Sequence, residues 1–297
     1  MGKNDMAEII QKIDKFRLKG NASFVIREGW LTKGMRNVVE DPEVFLRDNA
    51  TEVLGVGSAM VKSIRFWLQA AGLTAEPQVG RRRQSLTDIG QIIMENDPYF
   101  EDLFSLYIVH SHIARNSTLT TVWYLLFNYF DGVRFSRDNM EENLLTTFKQ
   151  MTSGDFSVAS FRDDCSVALK TYITDRNKQA SPEDNMQCPL TALDLFSKSA
   201  QFYERTSPSI EKLHPYAVMF VLLSSMNGRT SISLDKLLTE PLNVGRVFHL
   251  SAYQLNSYLD MLQANEMLTI QRTAGLNMVY PHEKLNSIDV VQKYYRR

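Results

Sequence analysis

Apolar residues recur three and four positions apart along most of the chain, which is the spacing of one buried helix face. Strand-like stretches are few and short, and they come in two pairs, LTAEP with RRRQSL and MLTIQRT with LNMVYP. The pattern therefore predicts a mainly α protein with small β-hairpins. Helices are predicted around 57–72, 87–95, 101–114, 119–130, 137–151, 158–173, 190–204, 214–226 and 251–264.

Each predicted hairpin follows a helix directly, which is the order of elements in a winged helix. The helix-turn-helix outline occurs three times, so we expect winged helix-turn-helix units joined by helical bundle segments. Residues 174–189 are polar and contain two prolines, and they are the best candidate for a linker. The expected organisation is an N-terminal winged-helix unit over 1–96, a central helical region with a helix-turn-helix-like pair over 97–180, and a C-terminal helical and winged-helix unit over 181–297.

The helix predicted at 57–72 has one apolar and one polar side. Ser58 follows Gly55 and Gly57, so it is expected to cap this helix, and Gly72 is placed to end it in a left-handed conformation. At about 100° per residue, the side expected to face the core holds Met60, Val61, Ile64, Trp67, Leu68 and Ala71. The opposite side, expected to face solvent, holds Ser58, Lys62, Arg65, Phe66 and Gln69.

Three consecutive arginines lie at the tip or on the second strand of the hairpin that follows. Strand alternation places Arg81 and Arg83 on one face and Arg82 on the other. In a major groove, the helix would bring its polar side to bases, and the arginines would reach phosphates or the minor groove. The alternative is a solvated basic loop beside a coated helix. The candidate DNA-binding residues are Ser58, Lys62, Arg65, Gln69, Arg81, Arg82 and Arg83.

The other two helix-turn-helix candidates look less suited to DNA. Ser251 is expected to cap a helix whose apolar stripe is Leu255, Tyr258, Leu259 and Leu262, and whose outward residues, including Gln254, Asn256, Ser257 and Asp260, are not cationic. A structural or protein-contact wing is favoured there, although the tail adds Lys293, Arg296 and Arg297. In the central pair, Ser157 or Ser160 is expected to cap a helix starting at 162–164. Asp163 and Asp164 would repel DNA there, so we interpret this pair as structural.

The composition is that of an ordinary globular protein. A net charge of −1 means that any contact with DNA must come from a local basic patch. The two cysteines, Cys165 and Cys188, are too few for a disulfide framework and are expected to be reduced. The N-terminus lacks the apolar stretch of a signal peptide, and the run at 216–226 is too short to span a bilayer. We therefore expect a cytoplasmic protein with no membrane partner.

The sequence holds no catalytic constellation that stands up to scrutiny. Walker-type, HExxH and GxSxG motifs are absent from it. His110 and His112 point in different directions on a helix, so one buried and one exposed histidine is favoured over a metal site. The carboxylates Asp97, Glu101 and Asp102, with Glu95 nearby, are more typical of a helix cap than of a metal centre. We expect no enzyme activity, no cofactor and no metal.

Several segments resemble one bacterial family, the domain of unknown function 4007. They are FVIREGWLTKG (24–34), LGVGSAMVKSIRFW (54–67), LTDIG (86–90), DPYFEDLFSLYIVHSHIA (97–114), TTVWYLLFN (120–128) and CPL (188–190), in that order. The resemblance covers residues 16–285. It implies a gene encoded beside phosphoadenosine-phosphosulfate-reductase-like proteins, in clusters linked to DNA phosphorothioation and defence against phage. The family has no established catalytic residues to transfer.

The resulting hypothesis is a non-enzymatic DNA-binding winged-helix protein of an anti-phage defence or phosphorothioation-linked system. One alternative is an adaptor for a reductase-like or nuclease partner, and another is a transcription regulator of its own gene cluster. The expected partner is double-stranded DNA. A phosphosulfate-reductase-like or nuclease protein and a second copy of the chain, forming a homodimer, are further candidates.

Overall fold

The computed structural model describes residues 12–173, 187–273 and 276–296. Helices make up about half of the chain and small antiparallel sheets accompany them, so the architecture is mixed α/β rather than the mainly α fold with small β-hairpins that the sequence predicts. Most of the predicted linker, at 174–186, lies outside the described residues, as do 274–275 and Arg297.

Thirteen α-helices lie in the described residues. They are α1 (Trp30–Glu40), α2 (Ala50–Leu54), α3 (Ser58–Ala70), α4 (Asp88–Asn96), α5 (Leu103–Arg115), α6 (Thr121–Asn128), α7 (Arg137–Met151), α8 (Val158–Tyr172), α9 (Pro215–Ser225), α10 (Leu234–Thr239), α11 (Val244–Phe248), α12 (Ala252–Ala264) and α13 (Ser287–Tyr295). Short 3-10 helices occupy Val44–Leu46 and Pro189–Leu193. None of the helices described here is both long and apolar enough to cross a membrane.

Eight short strands accompany these helices in the described residues. They are β1 (Thr74–Ala75), β2 (Ser85–Leu86), β3 (Arg134–Ser136), β4 (Phe196–Ser199), β5 (Phe202–Arg205), β6 (Ile232–Ser233), β7 (Leu268–Thr273) and β8 (Leu276–Pro281). All neighbouring strands pair antiparallel, with β1–β2 forming a two-stranded sheet. The two predicted hairpins are therefore present, although β1 and β2 are only 2 residues long each.

One predicted helix, at 190–204, is wrong. A 3-10 turn occupies Pro189–Leu193, and the β4–β5 hairpin follows it. Asp194 adopts a left-handed conformation (φ 52°) directly after the turn, and Ala200 does the same between the two strands. These two breaks divide a stretch whose apolar spacing alone suits a helix.

The two three-stranded sheets have the same topology. Their strand orders are β3-β5-β4 and β6-β8-β7, with the first strand pairing to the last. In each case the chain runs helix, strand, helices, hairpin: α6, β3, α7, α8, β4–β5, and again α9, β6, α10 with α11, α12, β7–β8. We call residues 121–205 the second unit and 215–281 the third unit. The first unit, residues 30–86, has helices α1–α3 and the hairpin β1–β2.

A continuous hydrophobic core joins the three units. Trp67 of α3 meets Trp123 of α6 edge to face, with ring centroids 5.4 Å apart. The Nε1–H of Trp67 donates to the carbonyl of Phe24 (3.0 Å), so a buried polar group is satisfied. At the other end of the chain, α13 packs against both α4 and α9. The last helix therefore links α4, which follows the first unit, to α9 of the third unit.

Candidate nucleic-acid interface

The turn between α2 and α3 depends on glycine. Gly55 ends α2 with φ 59°, a left-handed conformation that only glycine adopts without strain. Gly57 is extended and is the residue that precedes α3, because its carbonyl accepts from the N–H of Val61 (3.0 Å). Ser58 is therefore the first helical residue, and no side chain caps the helix. The expectation that Ser58 is the N-cap is wrong, but the residue is exposed.

The buried side of α3 is wider than its periodicity predicts. The expected core residues Val61, Ile64, Trp67 and Leu68 are buried. Phe66, expected to face solvent, is only 3% exposed. The segment before α1, which carries no periodic signal, covers this side. The Arg17 guanidinium lies 5.6 Å from the Phe66 ring centroid, and Gly20 lies against the same ring.

A single carboxylate links α3 to the base of the hairpin. The Oε1 of Glu76 accepts from Arg65 Nε (2.6 Å), Gln69 Nε2 (2.9 Å) and Gln84 Nε2 (3.2 Å). The Arg65 side chain is only 23% exposed. Arg65 and Gln69, two of the candidate contact residues, therefore hold the hairpin against the helix.

A second carboxylate gathers the arginines of the hairpin loop. Glu43, which is 8% exposed, contacts Arg83 (2.7 Å), Arg81 (3.0 Å) and Arg47 (3.7 Å). Arg81 and Arg83 thus converge on one side, as strand alternation predicts, although they lie in the loop between β1 and β2. Both side chains stay more than 60% exposed, so their outer nitrogens, those that do not contact Glu43, remain accessible. Arg82 is exposed and has no ion pair among the described residues.

The candidate residues therefore divide into three groups. Ser58, Lys62 and Arg82 are exposed, and none of the three side chains has a hydrogen bond or ion pair in the described part of the chain. Arg81 and Arg83 are anchored on Glu43 but largely exposed. Arg65 and Gln69, whose side chains contact Glu76, are half-buried. The hairpin loop thus presents more positive than negative charge.

A groove of about 930 Å³ lies between α1, the end of α2 and residues 99–106 and 187–192. Its three lining cations are engaged: Arg27 lies 5.5 Å from the Trp30 ring centre, Arg36 lies 4.9 Å from that of Tyr99, and Lys33 donates to the Leu54 carbonyl (3.0 Å). Four carboxylates also line it, which does not favour a polyanion. They belong to Glu28, Glu40, Glu52 and Glu101.

The comparison with known families decides the relationship. The profile of the family described as "Protein of unknown function (DUF4007)" matches residues 19–295. The chain belongs to the DUF4007 family. The resemblance read from the sequence segments is thereby confirmed at the level of the family.

Two solved structures are similar to this DUF4007 protein. One, described as "SspB crystal structure", is 24% identical, with a TM-score of 0.85 over 97% of this chain and 90% of that chain. The other, described as "Magnesium ion-bound SspB crystal structure", is 24% identical, with a TM-score of 0.83 over 94% and 88% of the two chains. At this identity the likeness establishes the fold. No curated protein matches the sequence.

The third unit of the DUF4007 chain confirms the predicted cap. Ser251 and Gln254 form a capping box at the start of α12. Arg272 of β7 lies beside the outward residues and pairs with Asp260 (2.7 Å). Tyr253, in the first turn, is 79% exposed. This face is therefore polar and aromatic without excess positive charge.

In the second unit, α8 (Val158–Tyr172) matches the helix predicted at 158–173, and Ser157, one of its two predicted caps, is confirmed. Ser157 is the cap and accepts from Ser160 N–H (3.2 Å), so the helix starts at Val158 and not at 162–164. Asp164 is buried and accepts from the Lys19 N–H (2.8 Å) and from Asn21 Nδ2. Burial raises the pKa of Asp164 to about 6. This carboxylate thus holds the N-terminal segment.

The two close histidines of the DUF4007 chain do not form a pair. His110 is buried, with Nδ1 at 2.8 Å from Tyr172 Oη and Nε2 at 2.8 Å from the Val247 carbonyl. Burial lowers its pKa to about 4. His112 lies partly buried against Gly72. Neither is exposed, so the expectation of one exposed histidine is wrong.

The acidic cluster serves as a cap. Asp97 accepts from the N–H groups of Glu101 (2.9 Å) and Asp102 (3.2 Å). Asp102 caps α5 by accepting from the Phe104 N–H (2.8 Å). Within the described ranges, no group of three or more histidine, cysteine or acidic residues is arranged to hold a metal ion.

Proposed function

We propose that this DUF4007 protein is a non-enzymatic winged-helix protein that binds double-stranded DNA in a bacterial anti-phage defence or DNA-phosphorothioation system. The observation that carries the proposal is the first unit. There, α3 carries an exposed lysine, and the arginine loop of the hairpin that follows α3 is held by Glu43. With a net charge of −1, the protein depends on such a local patch to attract a polyanion.

The element order supports the name winged helix. In the second and third units, a helix, a strand, further helices and a hairpin follow one another along the chain. The strand and the hairpin pair to form one three-stranded sheet. The first unit keeps the helices and the hairpin. In such units, the last helix before the hairpin enters the major groove and the hairpin contacts the backbone. Here these elements are α3 and the β1–β2 loop.

The contacts assign different roles to the candidate residues. Lys62 and Arg82 are free to bind phosphates, and Ser58 lies at the N-terminal end of α3, where base edges are usually read. Arg81 and Arg83 bind phosphate with their outer nitrogens while Glu43 holds their positions. Arg65 and Gln69 set the angle between helix and hairpin through Glu76.

The biological setting rests on the family. The resemblance implies neighbours that resemble phosphosulfate reductases and a link to DNA phosphorothioation. We therefore propose that duplex DNA, with or without a sulfur-modified backbone, is the ligand. Because one structural relative is described as magnesium-bound, binding is to be measured with and without Mg²⁺.

The test is fluorescence anisotropy of a labelled duplex against the full chain over a range of salt concentrations. The variant Lys62→Ala/Arg82→Ala removes two cations that have no internal contact. Its salt dependence is expected to be shallower by roughly two in log–log slope, at about 0.9 per phosphate contact. A phosphorothioate duplex in parallel shows whether sulfur is recognised.

The matched control is Lys149→Ala/Lys236→Ala, which removes two exposed lysines on α7 and α10. Neither lysine has an ion pair within the described residues. Equal affinity and equal slope for the two double variants would contradict the proposal. Recovery of one preferred sequence from a random pool would instead identify a transcription regulator.

A second candidate function, a protein adaptor, is favoured by the third unit. Its α12 exposes Tyr253 (79%) and Met261 (36%), while its neighbouring arginine is paired with Asp260. Aromatic residues without excess charge are typical of protein interfaces. Nuclease-resistant co-purification with a reductase-like or nuclease protein, lost on Tyr253→Ala, would support the adaptor.

A further inference from the structure

A small cleft lies in the second unit, between α8, the first turn of α7 and the β4–β5 hairpin. Its volume is about 90 Å³. Three cations and two hydroxyl groups line it, and the remaining walls are apolar. The lining residues are Arg137, Ser166, Leu169, Lys170, Ile173, Lys198 and Tyr203. No carboxylate is among these lining residues.

The positive charge of this cleft is largely uncompensated. Lys170 and Lys198 are exposed, and neither has a hydrogen bond or ion pair within the described ranges. The Lys198 Nζ lies 5.7 Å from the centre of the Tyr203 ring. Arg137 uses its Nε to contact Glu141, which leaves both terminal nitrogens of the guanidinium as donors.

The size and chemistry of the cleft suit a tetrahedral oxyanion. A volume of about 90 Å³ is several times the roughly 10–15 Å³ that one water needs, so one phosphate or sulfate group has room. Arginine and lysine donate charge-assisted hydrogen bonds to such oxygens. The hydroxyl groups of Ser166 and Tyr203, which have no hydrogen bond in the described part of the chain, add neutral donors.

The placement of this charge repeats that of the first unit. There, the cations lie on the last helix before the hairpin and on the hairpin itself. In the second unit, Lys170 is on α8 and Lys198 is on β4. In the third unit, the corresponding cation, Arg272, is neutralised by Asp260. Two units of the three therefore present free positive charge at corresponding elements.

We propose that this cleft binds a phosphate or sulfate group, supplied either by the DNA backbone or by a free small anion. This assignment stands on the cleft itself and does not depend on DNA binding by α3. It also gives the second unit a binding role that the sequence interpretation, centred on Asp163 and Asp164, did not foresee.

The test uses the full chain with two probes, inorganic phosphate and a labelled duplex. In the parent, phosphate is expected to raise the melting temperature more than chloride at equal ionic strength, because it binds the folded state. The variant Lys170→Gln/Lys198→Gln removes both charges, keeps part of each aliphatic stem and is expected to lose this shift. Ser166→Asp, which puts a carboxylate into the cleft, is expected to lose it as well.

The control is Lys149→Gln/Lys236→Gln, which removes the same charge elsewhere and is expected to keep the shift. If the cleft variants also bind the duplex more weakly than the control, with a salt slope smaller by about one, the anion is a backbone phosphate. If only the phosphate shift is lost, the anion is a free small molecule. The proposal is overturned if phosphate gives no specific shift in the parent and the cleft and control variants bind duplex equally.

Discussion

Two carboxylates decide how the positive charge of the first unit is presented. Glu76 accepts hydrogen bonds from Arg65 and Gln69, and Glu43 forms ion pairs with Arg81 and Arg83. An arginine run in a free loop would have to lose side-chain entropy on binding a phosphate, at a cost of as much as about 2 kcal/mol per side chain. Anchoring on Glu43 removes part of that cost before any ligand arrives.

Glu43→Gln is expected to loosen the hairpin loop and to lower the free energy of unfolding by about 1 kcal/mol, because the ion pairs are lost while one neutral acceptor remains. Trypsin is expected to cut after Arg81, Arg82 or Arg83 faster than in the parent. Limited proteolysis followed by mass spectrometry measures this. Glu40→Gln, at an exposed carboxylate with no ion pair to any described residue, serves as control. Identical cleavage rates in the two variants would show that Glu43 does not hold the loop.

His110 is expected to make the protein sensitive to mild acid. Its folded pKa of about 4 lies below the ordinary 6.5, so the unfolded chain binds the proton first. The contribution of His110 to the free energy of unfolding is therefore constant above pH 6.5. It decreases as the pH falls toward 4, by about 3 kcal/mol in total. Asp164, whose pKa is raised to about 6, acts in the opposite direction.

The measurement that isolates His110 is the difference in unfolding free energy between the parent and His110→Gln. Urea titrations of both proteins at several pH values across this range give that difference. Glutamine does not titrate, so the parent is expected to lose stability relative to the variant as the pH falls. A difference that stays constant with pH would mean that His110 accepts its proton in the folded state.

Helical periodicity predicted the long elements well, and the reason lies in local physics. A helix such as α7 or α12 carries its own repeating pattern. Strands β3 and β6 are 3 and 2 residues long, and each pairs with a strand far along the chain, so no local pattern announces them. Short helices such as α2 and α11 also carry too few residues to show a repeating pattern in the sequence.

The candidate site was predictable only in part, for the same reason. Composition and spacing identified the exposed Lys62 and Arg82 and the shared side of Arg81 and Arg83. The partner of Arg83 lies 40 positions away, and the sequence does not indicate it. Nor does it show that residues near Gly20 bury Phe66.

The two helix starts that the sequence treats alike differ in the structure, and this gives a test at the scale of elements. Ser251 caps α12 with a full capping box, whereas Ser58 is not a cap. Ser251→Ala is therefore expected to cost about 1 kcal/mol of stability, and Ser58→Ala close to nothing. Chemical denaturation of the two variants measures the difference. Equal losses would show that Ser58 caps α3 in solution.

At the scale of the whole molecule, α13 packs against helices from distant parts of the chain. Tyr294 of α13 stacks on Phe104 of α5, with ring centroids 3.7 Å apart. Its hydroxyl group donates to Asp102 (2.7 Å). The same helix packs against α4 and α9. Because one core runs through all three units, we expect them to unfold together.

Tyr294→Ala tests this cooperativity, because the mutation lies near the C-terminus while the tryptophans, at positions 30, 67 and 123, all lie in the first half of the chain. Loss of the stacked ring is expected to cost about 2–3 kcal/mol. Tryptophan fluorescence and far-ultraviolet circular dichroism are expected to report the same lowered midpoint. Tyr253→Ala, at a 79% exposed ring, is expected to leave both midpoints in place. If the fluorescence midpoint stayed at the parent value while the dichroism midpoint fell, the part of the chain around the three tryptophans would be unfolding independently of α13.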